Sequence, residues 1–197
     1  MRRALPHLAT CGNLASGFLA VLFAASGDFV HAAASVLAAA VLDLLDGAIA
    51  RNGGEEGAEL EEFGKNLDSL ADVVSFGAAP AFAAYAAVLE VRPVVGLAGC
   101  LLFFVCGALR LARFPLVGRP DRFVGLPIPP AGLFVAALAA LGAPPLPVLA
   151  ALAATSVLMV STVPFPTPAA ILGPGKPRRD GQPPETVAVE DRPTARP

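Results

Sequence analysis

The run VLDLLDGAIAR, residues 41–51, closes an otherwise apolar segment with two aspartates, a glycine and an arginine. Asp43, Asp46, Gly47 and Ala50 fall at i, i+3, i+4 and i+7, a spacing that puts them on one face of a helix. A second acidic pair follows in FGKNLDSLADVVSFG, where Gly64, Asp68 and Asp72 recur every four residues and share a face in the same way. Four carboxylates are thus predicted to converge from two neighbouring helices. Beside an apolar environment they would repel one another and lose hydration at large cost, and Arg51 is the one obvious cation in the local sequence. Hard divalent cations relieve both penalties. An all-oxygen ligand set favours magnesium, manganese or calcium over zinc. Two such ions about 3.5–4 Å apart suit phosphoryl chemistry, in which they clamp diphosphate oxygens during an in-line displacement. Gly47, lacking a Cβ, lets a bulky group lie against the helix, and Ala50 extends that strip; close packing of two helices is the competing use of small residues. Arg51 stands one turn further on, where it can hold a phosphate or reach the interface.

The elements that must position these groups are membrane helices. The chain is 55% hydrophobic and only 15% charged, against roughly one-quarter charged in soluble domains, and its mean hydropathy is +0.67. Six segments approach the roughly 20 apolar residues a bilayer crossing needs: about 8–26, 30–50, 66–89, 93–113, 127–143 and 145–165. The basic, apolar N-terminus lacks a convincing cleavage site and reads as a retained first span. Residues 1–173 form the membrane domain in this reading. Residues 174–197, rich in proline and charge, form a disordered tail. With six spans, thirteen of the fourteen lysines and arginines fall on one side and Arg92 on the other, which predicts an all-α integral membrane protein with both termini cytoplasmic. Cys11, Cys100 and Cys106 lie in apolar runs without disulfide or metal spacing, and His7 and His31 read as packing or interfacial residues. Nothing in the charge pattern predicts a nucleic-acid partner.

The pattern Asp43-x2-Asp46-Gly47-x2-Ala50-Arg51 … Gly64-x3-Asp68-x3-Asp72 resembles the signature of the CDP-alcohol phosphotransferases, integral membrane enzymes that move a phosphatidyl or related group from a CDP-linked donor to an alcohol. The twelve residues between Arg51 and Gly64 make that connection longer than is usual in the family. LPHLATCGNLASGFLAV, LDSLADVVSFGAAPA, CGALRLARF and GLPIPPAG further resemble the phosphatidylserine synthase branch, with Pro115 standing where that branch usually carries asparagine.

The resemblance implies that Asp43, Asp46, Asp68 and Asp72 hold two divalent cations, magnesium or manganese with calcium as a bound substitute. It implies that Gly47, Ala50, Arg51 and Gly64 line the CDP site, that Asp72 is also the general base, and that the protein is a homodimer. The reaction so implied takes CDP-diacylglycerol from the lipid and L-serine from the cytoplasm, and gives phosphatidylserine and CMP. Asn13, polar within the first span, is expected at the nucleotide or at a neighbouring helix. Arg110 and Arg113, at i and i+3, are expected at the acceptor, since a bidentate arginine is the natural partner of an amino-acid carboxylate; anchoring of the helix end is the alternative. Ser75 is expected to line the same site or to bond the helix backbone. Two other readings stand beside this one. The first is the same chemistry with glycerol phosphate or inositol phosphate as acceptor, or with an ether-lipid donor. The second is a cation transporter, which would need a polar path that the far half of the bilayer does not supply.

Overall fold

The computed structural model describes residues 5–52, 58–117, 123–162 and 164–165. Seven α-helices are found there: α1 (Leu5–Ala25), α2 (Phe29–Asn52), α3 (Ala58–Asp72), α4 (Ala79–Ala84), α5 (Pro93–Val117), α6 (Ile128–Ala140) and α7 (Pro145–Val160). Two π-helical segments, Val73–Ala78 and Tyr85–Leu89, flank α4 and join α3 to it, so that residues 58–89 run as one helix. Strands β1 (Phe123–Val124) and β2 (Pro164–Phe165) form a two-residue antiparallel pair, and this is the one departure from the all-helical expectation among the described residues.

Four helical stretches are long and apolar enough to cross a membrane: His7–Ala25, Phe29–Ala48, Glu62–Leu89 and Pro93–Arg113. The chain is a multi-pass membrane protein. The fifth and sixth expected spans are present as helices but are shorter than the hydropathy suggested, at 13 and 16 residues. At 1.5 Å per residue these reach about 20 and 24 Å, short of a core of about 30 Å. The physical reason is proline and glycine. Pro127 and the φ +59° Gly142 bound α6, and α7 gives way to extended backbone at Ser161. Residues 166–197, including the proposed tail, lie outside the described residues.

The turns follow from local chemistry. After α1, Gly27 takes φ +82°, Asp28 N–H donates to Phe23 O at 2.9 Å and Gly27 N–H to Ala24 O at 3.1 Å, the pairing that satisfies the last carbonyls of a helix ending in a left-handed residue. Asp28 then accepts from His31 N–H at 3.1 Å, which starts α2 at once and sets the two helices side by side. Gly142 ends α6 in the same manner, with Ala143 N–H donating to Leu138 O at 3.0 Å.

Many small residues face inward beside a few large ones such as Phe76 and Phe103, while numerous large apolar side chains face outward. Ala20, Ala24, Ala32, Ala39, Ala79 and Ala84 are buried, whereas Phe18, Leu22, Val41, Leu44, Leu101 and Val105 are exposed. This is the arrangement expected where lipid solvates the outer face and close backbone approach drives helix packing. At the centre lies the π segment Val73–Ala78, whose Ser75, Phe76 and Gly77 are all buried. Pro80 sits one turn after Phe76 and has no N–H to return to its carbonyl, a conflict that a widened turn accommodates. The Phe76 backbone is met by α6 at Gly132, where a Cβ would stand 2.5 Å from Phe76 O and 2.8 Å from Phe76 Cα.

Gly132→Ala is therefore expected to lower the thermal unfolding midpoint in detergent, since the obstructing atoms are backbone, at a cost of about 1–3 kcal/mol. Gly77→Ala is expected to cost less, because its Cβ would meet the Phe104 ring edge, which can rotate, at 3.3 Å. Equal midpoints for Gly132→Ala and the parent chain would contradict this account of the packing.

Candidate active site

The two acidic faces meet. Asp43 on α2 and Asp68 and Asp72 on α3 each offer a carboxylate oxygen, and the three oxygens lie within 4.8 Å of one another. Asp72 is 7% exposed, and one Asp68 oxygen is buried without a hydrogen-bond partner. An orphaned buried carboxylate oxygen beside two further carboxylates fits a hard cation, because such oxygens either bind positive charge or raise the energy of the fold. Asp46 is close by, its charge acting on both Asp43 and Asp68. It is 7% exposed, and its Oδ2 accepts from the Thr10 hydroxyl at 2.9 Å.

The first helix thus enters the site through neutral donors. Thr10 serves Asp46 on α2. One turn later Asn13, fully buried, extends its amide toward Asp72 Oδ1 on α3 at the long distance of 3.4 Å. A further turn along, Gly17 leaves room for Ser75, where a Cβ would come within 2.7 Å of Ser75 Cα. The Ser75 hydroxyl donates to the Asn13 carbonyl at 3.0 Å. Asn13 thus reaches the neighbouring helix, and Ser75 hydrogen-bonds a backbone carbonyl of α1. Sequence spacing alone does not mark Thr10 as a site residue. Its signal is the polar and small stripe Thr10, Asn13, Gly17 at helical spacing, which becomes legible only against the acidic helices.

The remaining candidates divide. Gly47 lies on α2 beside Asp46 and is half-buried. Ala50 and Arg51 lie in the last turns of α2, and their side chains fall outside the described residues. Gly64 is the point where α1 approaches α3: a Cβ there would sit 3.1 Å from His7 Cε1, and the His7 ring stands edge-on to Phe63 at 5.8 Å. His7 is thus a packing residue, as expected, with its Nε2 buried and unpartnered. Arg110 on α5 is partly buried, its Nε has no partner, and its charge acts on Asp72. Arg113, one turn on, is exposed. Arg110 thus lies near enough to the acidic cluster for its charge to act there.

Mutual repulsion in the trio has a testable consequence. In EDTA, Asp68→Asn is expected to unfold at a temperature about 2–4 °C above the parent chain, since one of three crowded charges is gone. In excess manganese the order reverses, because a ligand is missing. Thermal unfolding in both buffers checks this, and an unchanged order would remove the cation reading of the cluster.

Comparison with known proteins agrees with this geometry. The family model described as CDP-alcohol phosphatidyltransferase matches residues 3–167. The chain is 40% identical over 165 residues to an archaetidylserine synthase from Methanothermobacter thermautotrophicus, a match covering 83% of this chain and 70% of that one. It is 34% identical over 165 residues to the CDP-diacylglycerol–serine O-phosphatidyltransferase of Bacillus subtilis, covering 82% and 89%. It is 39% identical over 133 residues to the enzyme of the same name from Helicobacter pylori, where the match covers 66% of this chain and about half, 54%, of the relative. The model match takes in both acidic helices and α1, so the chain belongs to the CDP-alcohol phosphatidyltransferase family.

Proposed function

We propose that the protein transfers the phosphatidyl group of CDP-diacylglycerol to the hydroxyl of L-serine, giving phosphatidylserine and CMP. The observation that carries this reading is the convergence of Asp43, Asp68 and Asp72 near Arg110, in a chain whose relatives compared above have serine in their names. Asp43, Asp46, Asp68 and Asp72 would hold two divalent cations, magnesium or manganese, which when bound supply positive charge to the donor's diphosphate.

The chain's own groups do the rest. The serine hydroxyl is a poor nucleophile until a carboxylate takes its proton, and Asp72, steadied by Asn13, is the group assigned to that role. The serine oxygen forms a bond to the phosphorus carrying the lipid as the bond from that phosphorus to CMP breaks, in a single displacement. Arg110, its Nε unpartnered and its charge already felt at Asp72, is suited to hold the serine carboxylate close to the base. Gly47, Ala50, Arg51 and Gly64 remain the assigned CDP contacts. Asn13 on α1 and Ser75 in the Val73–Ala78 segment also make helix contacts, and they stay assigned to the CDP and the acceptor. One relative is named for archaetidylserine, which favours an ether-linked donor lipid as the second reading. Acceptor choice is common to both.

The site is assigned to the cytoplasmic face, with six membrane segments and both termini cytoplasmic, on the strength of the lysine and arginine asymmetry. A membrane-impermeant thiol reagent is expected to label Val91→Cys only from the outer side; labelling from the cytoplasm would invert the topology. The homodimer rests on the family resemblance, and light scattering of the detergent-purified protein reads it.

CMP release by purified protein should require L-serine, cease in EDTA, and fall by about 10²–10⁴-fold in Asp72→Asn. Arg110→Ala is expected to raise the KM for serine more than it lowers kcat. Release with glycerol phosphate or inositol phosphate in place of serine would overturn the acceptor, and comparison of acyl and ether CDP-lipids selects the donor.

A further inference from the structure

We infer that Thr10 is a positioning residue for the metal site: its hydroxyl fixes the Asp46 carboxylate by one oxygen and reserves the other for a cation. The inference rests on the metal reading above and adds a residue to it that carries no charge and lies in another helix.

Four features support it. Thr10 and Asp46 are 4% and 7% exposed, so water does not compete for the 2.9 Å bond between them. The terminal torsion of an aspartate is broad and roughly two-fold; the Gly47 N–H bonds the Asp46 carboxylate from its own helix, and the Thr10 hydroxyl adds a donor from another helix. The donor is a hydroxyl, which orients Asp46 without cancelling the negative charge that a cation needs; a lysine or arginine there would compete with the metal. Finally, the bond is not needed to hold α1 to α2. The two helices are already joined by the Gly27 turn and by close packing, with a Cβ on Gly12 standing 3.1 Å from Leu42 Cδ1. What the hydroxyl adds is orientation of the one aspartate that stands outside the Asp43–Asp68–Asp72 trio. Partners that orient a metal's ligands typically change affinity by about 10–100-fold when removed.

The test is manganese titration of the detergent-purified full chain, followed by electron paramagnetic resonance, for the parent protein, Thr10→Val and Thr10→Ser. Thr10→Val is expected to bind manganese about 10–100-fold more weakly, and Thr10→Ser, which keeps the hydroxyl, to stay within about threefold of the parent. Activity should follow the same split: the manganese concentration for half-maximal rate rises in Thr10→Val while the rate at saturating metal is largely restored. If Thr10→Val does not yield folded protein, judged by thermal unfolding in EDTA, Thr10→Ala removes the hydroxyl without the branched methyl pair and gives the same readout. Parental manganese affinity in a folded variant without the hydroxyl would overturn the positioning role and leave the metal reading standing. Failure of the parent chain itself to bind manganese would overturn the metal reading and this inference together.

Discussion

Carboxylates crowded at the ends of apolar helices are the constraint on which the rest of this structure turns. Asp43, Asp68 and Asp72 bring three oxygens within 4.8 Å of one another, and Asp46 is buried close by on α2. Neutralising them with lysines or arginines would make a stable but inert bundle. The fold instead brings neutral donors to two of them, with Arg110 near enough to act on Asp72. Thr10 and Asn13, one turn apart on α1, each reach a different acidic helix, so a single uncharged helix sets the orientation of two acidic ones. The negative charge is preserved for a cation and its substrate, at a cost in stability that close packing elsewhere must offset.

That packing depends on the helix running through residues 58–89. The same element carries Asp68 and Asp72 and, directly after them, the π segment Val73–Ala78. Pro80 removes a helical hydrogen-bond donor just beyond, and the glycines Gly17 and Gly132 let α1 and α6 approach the resulting wide turn at Ser75 and Phe76. The acidic face is thus anchored from its C-terminal side by backbone contacts, which are stiffer than contacts between long side chains. Catalytic carboxylates gain from that stiffness, since misplacement of a reacting group by about an ångström is enough to slow a reaction markedly.

Specificity is distributed differently from chemistry. The names of the relatives compared above agree on serine and differ in the lipid. Arg110, partly buried on α5, lies near enough to Asp72 for its charge to act there, as a site that reads an acceptor carboxylate would need. A carboxylate can be recognised by one well-placed guanidinium; acyl and ether chains offer a hydrocarbon surface nothing comparable to grip.

The sequence by itself determined the acidic faces, because helical periodicity puts Asp43 with Asp46 and Asp68 with Asp72 whatever the surroundings, and it determined the apolar segments, because a bilayer crossing demands a continuous run. It left open how far the last two helices extend, since hydropathy continues through GAPPLP and toward VPF while proline and glycine end the helix earlier. Tertiary structure alone decided that Asp43, Asp68 and Asp72 bring oxygens within 4.8 Å of one another, and that Arg110 is partly buried where Arg113 is exposed. It also decided the partners of Thr10 and Asn13, which lie 36 and 59 residues away. The physical reason is that spacing along a helix fixes only which direction a side chain leaves its own axis. Distances between side chains on different helices depend on how closely the axes approach, and here that is set by glycines, alanines and a π turn whose effect exists only once the helices are packed.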